Sequence, residues 1–375
     1  MIESRAEAGL LPSHFIKIEG YIFMKEASGS RKLFSLICLI GGLVLLIWSL
    51  ALDFMGTKAG YRGALLVIGI IGIIAGLYFL PTLKYHRTLI YVIFLFPLLF
   101  AFAVTVIIPL FLGLFYSFTD WNGIRYKEFV GFANYARMFR QPSFIWSILL
   151  TALFVVFNMI LVNLVAFLLA LLCTSKLKGM GFFRASYFLP NLIGGIVLGY
   201  IWQFIFSNVV TKIFSGMKYS MLASTNTAFI AIIIVYVWQY AGYIMLIYIT
   251  GLNTVPGDVL EAANIDGANA TQTLFQIKIP MIAPTITICT FLTLTSAFKQ
   301  FDVNLSLTNG TGSVANFMGN YLTNGTQMLA LNIYNTAVVE NEYAFGQAKA
   351  FLFFIILACV SILQVRISNS KEVEL

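Results

Sequence analysis

Eight stretches of this chain run for about twenty residues or more with almost no charge: 34–53 (FSLICLIGGLVLLIWSLALD), 63–81, 89–118, 145–173, 187–206, 227–252, 284–303 and 346–367. A bilayer core about 30 Å thick is crossed by roughly 20 apolar residues of helix. Helix is the conformation that satisfies every backbone N–H and C=O within the segment. A chain with eight such runs is expected to be an all-α, polytopic membrane protein with about eight transmembrane helices. Composition agrees, with 60% hydrophobic and 10% charged residues against about half and a quarter in soluble domains.

Local irregularities mark two of the runs. Pro97 and Pro109 predict a tilted or kinked third span. Pro190-Asn191 and Gly194-Gly195 loosen the fifth, where neighbouring helices can satisfy the freed backbone. The net charge of +8 points to cytoplasmic loops, where Lys and Arg collect, rather than to nucleic acid. Eight spans put both termini on one side. That side, with Arg31, Lys32, Lys84, Arg87, Lys176, Lys178, Arg184 and Lys278, holds 13 Lys and Arg against 8 opposite, with Lys299 and Lys349 near span ends unassigned. Both termini are therefore expected in the cytoplasm.

More than thirty mixed-charge residues precede the first apolar run, so that segment is expected to remain in the mature protein rather than to be a signal peptide. The segment after Trp121 (IRYKEFVGFANYARMFRQPSF) mixes apolar and basic residues at helical spacing, as expected at the outer membrane interface. The last outer loop, 304–345, has no Lys or Arg, and its NLS and two NGT sequons read as chance matches in a polar loop. Cys38, Cys173, Cys289 and Cys359 lie in apolar runs without CxxC spacing and read as small hydrophobes without disulfides.

Catalytic chemistry finds no support. The phosphate-binding pattern GxxxxGK[ST] is absent, so nucleotide hydrolysis by that route is excluded. His14 and His86 stand far apart with no HExxH or Cys cluster, and no Ser–His–Asp set is recognisable. No catalytic residue and no metal site is expected.

One polar segment stands between the sixth and seventh spans: EAANIDGANATQTLFQIKIPMIAP, residues 261–284. Pro256-Gly257-Asp258 ends span six, with Asp258 as candidate N-cap and Glu261 three residues later, a variant capping box. A short helix Val259–Ile265 follows, presenting Ala262 and Ala263 for close approach by another surface. Asp266-Gly267 supplies a turn, because glycine tolerates the left-handed backbone. A second amphipathic helix starts near Ala270, and Pro280 and Pro284 lead into span seven. These residues suit a docking element, and equally an interfacial helical hairpin without special role.

Glu261-Ala262-Ala263, Gly267 six residues after the glutamate, and Ile277-x-Ile279-Pro280 closely resemble the EAA loop of ABC importer membrane subunits. The family pattern ends Ile-x-Leu-Pro, so Ile279 is a conservative departure. YSFTDW (116–121), FVGFANYARMF (129–139), FRASYFLPNLIGGIVLGYIWQFIF (183–206) and FDVNLSLTNG (301–310) are similar to signatures of the carbohydrate-uptake branch. LTNGTG departs there from the more usual LTGGGP. The resemblance covers about 89–367. Two extra N-terminal spans are similar to those of the larger maltose-importer membrane subunit, whose large insertion between spans three and four is missing here.

The resemblance implies a type I ABC importer transmembrane domain. It divides the chain into a cytoplasmic tail (1–33), two extra helices (34–88), a six-helix permease core (89–367) with the EAA loop at 256–284, and a cytoplasmic tail (368–375). It implies that Glu261, Ala262, Ala263, Asp266, Gly267, Ile277 and Pro280 couple the chain to an ATPase. The implied partners are a second homologous permease, two copies of a cytoplasmic ABC ATPase that binds ATP and Mg, and an extracytoplasmic sugar-binding protein. This chain would carry no cofactor of its own. It would lie in the lipid bilayer of the cell (inner) membrane, bind no nucleic acid and be no enzyme.

Polar groups at membrane depth mark a path or a partner. Tyr236, Gln239, Tyr240 and Tyr243 share one helix face at three- and four-residue spacing. Rings that stack on sugar faces, with amides and hydroxyls at their edges, suit a carbohydrate; helix–helix hydrogen bonding is the equal alternative. By likeness to the maltose-type subunit, counting from the EAA glutamate, Ser296, Lys299 and Gln300 join this path. Lys299 replaces an Asn there. It either meets an acidic sugar or snorkels at the outer rim, paired with Asp302. An ion-coupled secondary transporter would favour mid-span acids, which are nearly absent, and a non-transporting scaffold would leave the EAA stretch unexplained.

Overall fold

The computed structural model describes residues 29–54, 60–79, 86–125, 128–175, 178–213 and 219–369. His14, Lys84, Lys176 and most of both tails lie outside the described residues. The chain divides into two compact units, Met1–Leu110 and Phe111–Leu375.

In the first unit, helices α1 (Gly29–Phe54) and α2 (Arg62–Tyr78) form a hairpin. Small residues set its spacing. A Cβ added to Gly42 would stand 2.7 Å from the Gly69 carbonyl oxygen, and one on Gly76 would stand 2.7 Å from the Leu39 nitrogen. The Ser35 hydroxyl donates to the Gly76 carbonyl at 2.6 Å. Between apolar helices in lipid, such close backbone approach and side-chain hydrogen bonds supply the association that hydrophobic burial cannot. At 17 residues α2 is apolar but short for a full crossing.

Helix α3 runs from His86 to Ser117 through a π-helical turn at Ala103–Ile107. That turn sits beside Pro109, whose missing N–H removes one helical hydrogen bond; Pro97 leaves the helix unbroken. The division between units falls inside α3.

The second unit contains α4 (Ala133–Phe139), α5 (Pro142–Cys173), α6 (Met180–Leu192), α7 (Gly195–Ile213), α8 (Thr225–Asn253), α9 (Gly257–Ile265), α10 (Ala270–Met281), α11 (Ala283–Phe298), α12 (Leu329–Val339) and α13 (Tyr343–Asn369). Its core gathers Phe154 and Val162 of α5, Ile232, Tyr236 and Met245 of α8, and Leu294 and Phe298 of α11. Helix α8 is the most enclosed of the long helices, with buried residues all round it, so its sequence lacks a single apolar face.

Six described helices are long and apolar enough to cross a membrane, or seven if the bent pair α10–α11 is one crossing. The expected eight is thus approximate. The fifth span differs most. Ile193 is extended, so 187–206 is not one helix but the end of α6 and the start of α7, and the long apolar helix is Gly195–Ile213. The expected loosening at Pro190 and Gly194 is a full break. The seventh span is also shorter, ending at Phe298 rather than 303. The last loop, expected to be merely polar, folds an antiparallel hairpin of β1 (Val314–Phe317) and β2 (Asn320–Leu322), the one sheet among the described residues.

Candidate functional site

The EAA segment joins the C-terminus of α8 to the N-terminus of α11, so it lies at one end of the bundle. Helix α9 begins one residue after Pro256, whose extended backbone serves as N-cap. Asp258 is therefore not the cap: it sits inside the first turn and makes no capping hydrogen bond. Its carboxylate there complements the helix dipole, worth about 0.3–1 kcal/mol. With the cap displaced, Glu261 cannot complete a capping box.

The other end of α9 follows the expectation closely. Gly267 has φ +78°, the Ala268 N–H donates to the Ala263 carbonyl at 2.9 Å, and the Gly267 N–H donates to the Asn264 carbonyl at 3.1 Å. This is the Schellman arrangement, which satisfies two orphan carbonyls and needs a left-handed residue. Asn269 then caps α10. Its Oδ1 accepts from the Gln272 N–H at 2.9 Å, and Gln272 Oε1 accepts from the Asn269 N–H at 2.9 Å. That reciprocal capping box went unread in the sequence, although Asn-x-x-Gln carries its signal. Helix α10 passes through a π-helical turn at Thr273–Lys278 before Pro280, then bends by 71° into α11.

Glu261, Ala262 and Asp266 are exposed, and Ile265 is 86% exposed at the tip. Ala263 is only 8% exposed, so the two alanines part: Ala262 faces outward, while Ala263 is covered by the chain itself. Ile277 is half-buried and Pro280 exposed. Gly251, near the end of α8, is pressed against Thr285 at the start of α11, where a Cβ could not fit. The loop thus hangs from two helices already in contact above it.

The aromatic face of α8 points into the bundle core. Tyr236 is buried, stacked on Tyr240 at 4.3 Å between ring centroids and edge-on to Phe154 at 5.1 Å. The Tyr236 hydroxyl lies near Ser296 of α11 but is buried without a hydrogen-bond partner among the described residues, and Tyr240 lies within electrostatic reach of Asp302. Gln239 is buried and donates to the Ile193 carbonyl at 3.4 Å, a group freed by the break between α6 and α7. Tyr243 is half-buried at the edge of the same core. Gln300 is buried, and its amide nitrogen has no partner among the described residues. Such an atom marks a place where a polar ligand or water would be held.

Lys299 differs from one expectation. It is exposed at the C-terminal cap of α11, and no ion pair with Asp302 forms among the described residues. Asp302 instead packs beside Gly195 at the start of α7, where a Cβ would stand 2.7 Å from the aspartate Cβ.

Two asparagines of α5 were passed over in the sequence. Asn163 accepts from the Tyr248 hydroxyl at 3.0 Å and donates to Thr293 Oγ1 at 3.3 Å, linking α5, α8 and α11. Asn158 donates to the Phe154 carbonyl at 2.8 Å, while its Oδ1, fully buried, has no partner among the described residues. The signal was present: an amide in a 32-residue apolar helix is costly unless something receives it.

Known proteins match this arrangement. Residues 68–372 match the family described as "Binding-protein-dependent transport system inner membrane component". The chain is 42% identical over 289 residues to the probable starch degradation products transport system permease protein AmyD of Thermoanaerobacterium thermosulfurigenes, covering 76% of this chain and 96% of that protein. It is 33% identical over 275 residues to the multiple sugar-binding transport system permease protein MsmF of Streptococcus mutans, covering 71% and 90%. The fold is similar to that in the crystal structure of a bacterial ABC transporter involved in the import of the acidic polysaccharide alginate. The TM-score is 0.66 at 18% identity, covering 76% of this chain and 97% of the other. The chain belongs to the binding-protein-dependent transport system inner membrane components: it is a multi-pass permease subunit, and hydrolysis of ATP falls to a separate chain.

Proposed function

We propose that this permease pairs with a second, homologous permease to form the path for a di- or oligosaccharide delivered by an extracytoplasmic binding protein. Both termini and the EAA loop face the cytoplasm. There α9 seats in a cleft of one of two ATPase copies, which bind ATP and Mg. Closure of the ATPase pair moves α9, and with it α8 and α11. The observation that carries this reading is the geometry of α9. It is a short helix locked by its Schellman turn, with Glu261, Ala262 and Ile265 outward, rooted in two helices that touch at Gly251 and Thr285.

The relatives' names support the sugar. AmyD is named for starch degradation products and MsmF for multiple sugars. Tyr236, Gln239, Tyr240, Tyr243, Ser296 and Gln300 supply the rings, amides and hydroxyls that a carbohydrate needs, and Lys299 stands at the rim of that path.

The experiment is a mild-detergent purification of the tagged chain carrying Ala262→Cys, cross-linked before extraction. Ala262 serves as the probe because it is exposed, whereas Ala263 is covered by the chain itself. The expected result is a second permease and a P-loop ATPase in stoichiometric amounts, with the cross-link to the ATPase. A chain recovered alone, with no cross-link, would overturn the coupling assignment.

A further inference from the structure

The end of the bundle opposite the EAA loop carries a second polar site, separate from the path residues. A cleft of about 380 Å³ opens between the start of α5 and the last loop, within the size range of small-ligand sites. Of the ten residues lining it only Leu322 is aliphatic; Gln141, Asn324, Gln327, Asn332 and Asn335 bring five amides, and Glu340 the sole charge.

Buried Lys349 of α13 orders this wall. Its Nζ donates to Asn332 Oδ1 at 3.0 Å and to Thr336 Oγ1 at 2.7 Å, and lies over the Phe345 ring at 4.4 Å. A lysine only donates, so the Asn332 oxygen must face it and the Asn332 amide must donate elsewhere. It donates to Gln327 Oε1 at 3.1 Å, which also accepts from Asn324 Nδ2 at 2.7 Å. The Gln327 amide nitrogen has no partner among the described residues.

The backbone beneath is pinned as firmly. Trp146 Nε1 donates to the Gly325 carbonyl at 2.9 Å, Asn304 Nδ2 to the Thr326 carbonyl at 2.8 Å, and the Leu329 N–H to Thr151 Oγ1 at 2.8 Å. A wall fixed before binding loses little conformational freedom when a ligand arrives.

We propose that this cleft binds a neutral saccharide, holding it at the mouth of the permease before it enters the path. The inference rests on the sugar reading above and adds a site and a substrate class. The Gln327 amide nitrogen and the buried Gln141 Oε1, which has no hydrogen-bond partner among the described residues, leave a donor and an acceptor in this wall, a pairing that suits neighbouring hydroxyls on a pyranose ring. The exposed Tyr321 ring at the rim offers a stacking face. The chemistry selects against uronates: Glu340 is the one charge in the wall, and the Lys349 ammonium is spent on Asn332 and Thr336.

The test uses the assembled transporter in nanodiscs, without binding protein, carrying Thr323→Cys at the exposed rim. A membrane-impermeant maleimide labels this thiol, and rates are compared with and without maltotetraose, cellotetraose, mannotetraose or tetragalacturonate. At least one neutral tetrasaccharide is expected to slow labelling several-fold, and tetragalacturonate not to. Adding Gln327→Ala or Lys349→Met should abolish protection while the transporter elutes as a monodisperse species. Uptake of the same sugars is measured in parallel with the binding protein. Unprotected labelling alongside active uptake would overturn the cleft and leave the sugar reading standing. Protection by tetragalacturonate as strong as by the neutral sugars would overturn the selectivity. Absence of both protection and uptake across the panel would overturn the sugar reading with it.

Discussion

Gly242 of α8 lies against the carbonyl of Tyr187 in α6 so closely that a Cβ on Gly242 would fall far inside van der Waals contact of that oxygen. The obstacle is backbone, so no side chain can swing away. Gly242→Ala is therefore expected to push α6 off α8 and to destabilise the permease by about 1–3 kcal/mol, the usual range for overpacking a tight interface. Thermal unfolding followed by fluorescence-detected size exclusion should show a lower midpoint for Gly242→Ala than for Ala241→Gly on the same turn. An unchanged midpoint would mean that the two helices are not in this contact.

Gly267 presents the opposite case. Nothing lies within 4 Å of a Cβ built there, and the constraint is its φ of +78°. Substitution acts through backbone conformation alone, at about 1–2 kcal/mol for residues that avoid the left-handed region. Asn visits that region more readily than Ala or Val, so coupled uptake should fall in the order Gly, Asn, Ala, Val. Uptake and ATP hydrolysis by the assembled transporter, measured on the same preparation, check the order. Equal activity of Gly267→Asn and Gly267→Val would show that the turn does not govern coupling.

These two glycines also mark what a sequence can and cannot disclose. Gly267 was legible because its demand is local: a helix must end, and Asp-Gly ends it. Gly242 was not, since nothing near it in sequence tells that the Tyr187 backbone will arrive. Helix ends show the same divide. Pro190 and Gly194 signalled a weak point, yet whether the helix bends or breaks depends on Gln239 reaching across to donate to the Ile193 carbonyl. Asp258 was misplaced by two residues because Pro256 already supplies the extended backbone at the N-cap. Lys349 could not be assigned from its position near a span end; its partners Asn332 and Thr336 lie in α12, the helix before α13. The apolar runs, by contrast, were read from length and hydropathy alone, and α2 and α11, at 17 and 16 residues, fell at the edge of that measure.

The Asn163–Tyr248 hydrogen bond, 3.0 Å long, ties α5 to α8, and Asn163 continues to Thr293 of α11. Interhelical bonds of this kind contribute on average about 0.6 kcal/mol in a membrane, and rarely more than about 1.7. Tyr248→Phe removes one donor and leaves Asn163 bonded to Thr293; Asn163→Leu removes the hub. The double variant should then be less destabilised than the sum of the two singles, because the second change finds the bond already gone. Unfolding midpoints of the four proteins test this. Strict additivity would mean that the two side chains do not interact in the working transporter.

Lys299 caps the C-terminus of α11, is exposed, and forms no ion pair with Asp302 among the described residues. A cation in that position gains about 0.3–1 kcal/mol from the helix dipole, less at physiological salt. Lys299→Gln is accordingly expected to lower stability slightly and to leave uptake of neutral oligosaccharides near that of the parent. Loss confined to uronic oligosaccharides would reveal a charge contact with an acidic sugar at the rim of the path. Equal loss for neutral and uronic sugars would instead make Lys299 a structural part of that rim, through its hold on the end of α11. Side-by-side uptake of maltotetraose and tetragalacturonate by Lys299→Gln and by Lys299→Arg, which keeps the charge, separates these outcomes. Retained neutral uptake in both variants is the expected result, because Tyr236 and Gln300 are buried within the bundle, with Tyr240 half-buried and stacked on Tyr236.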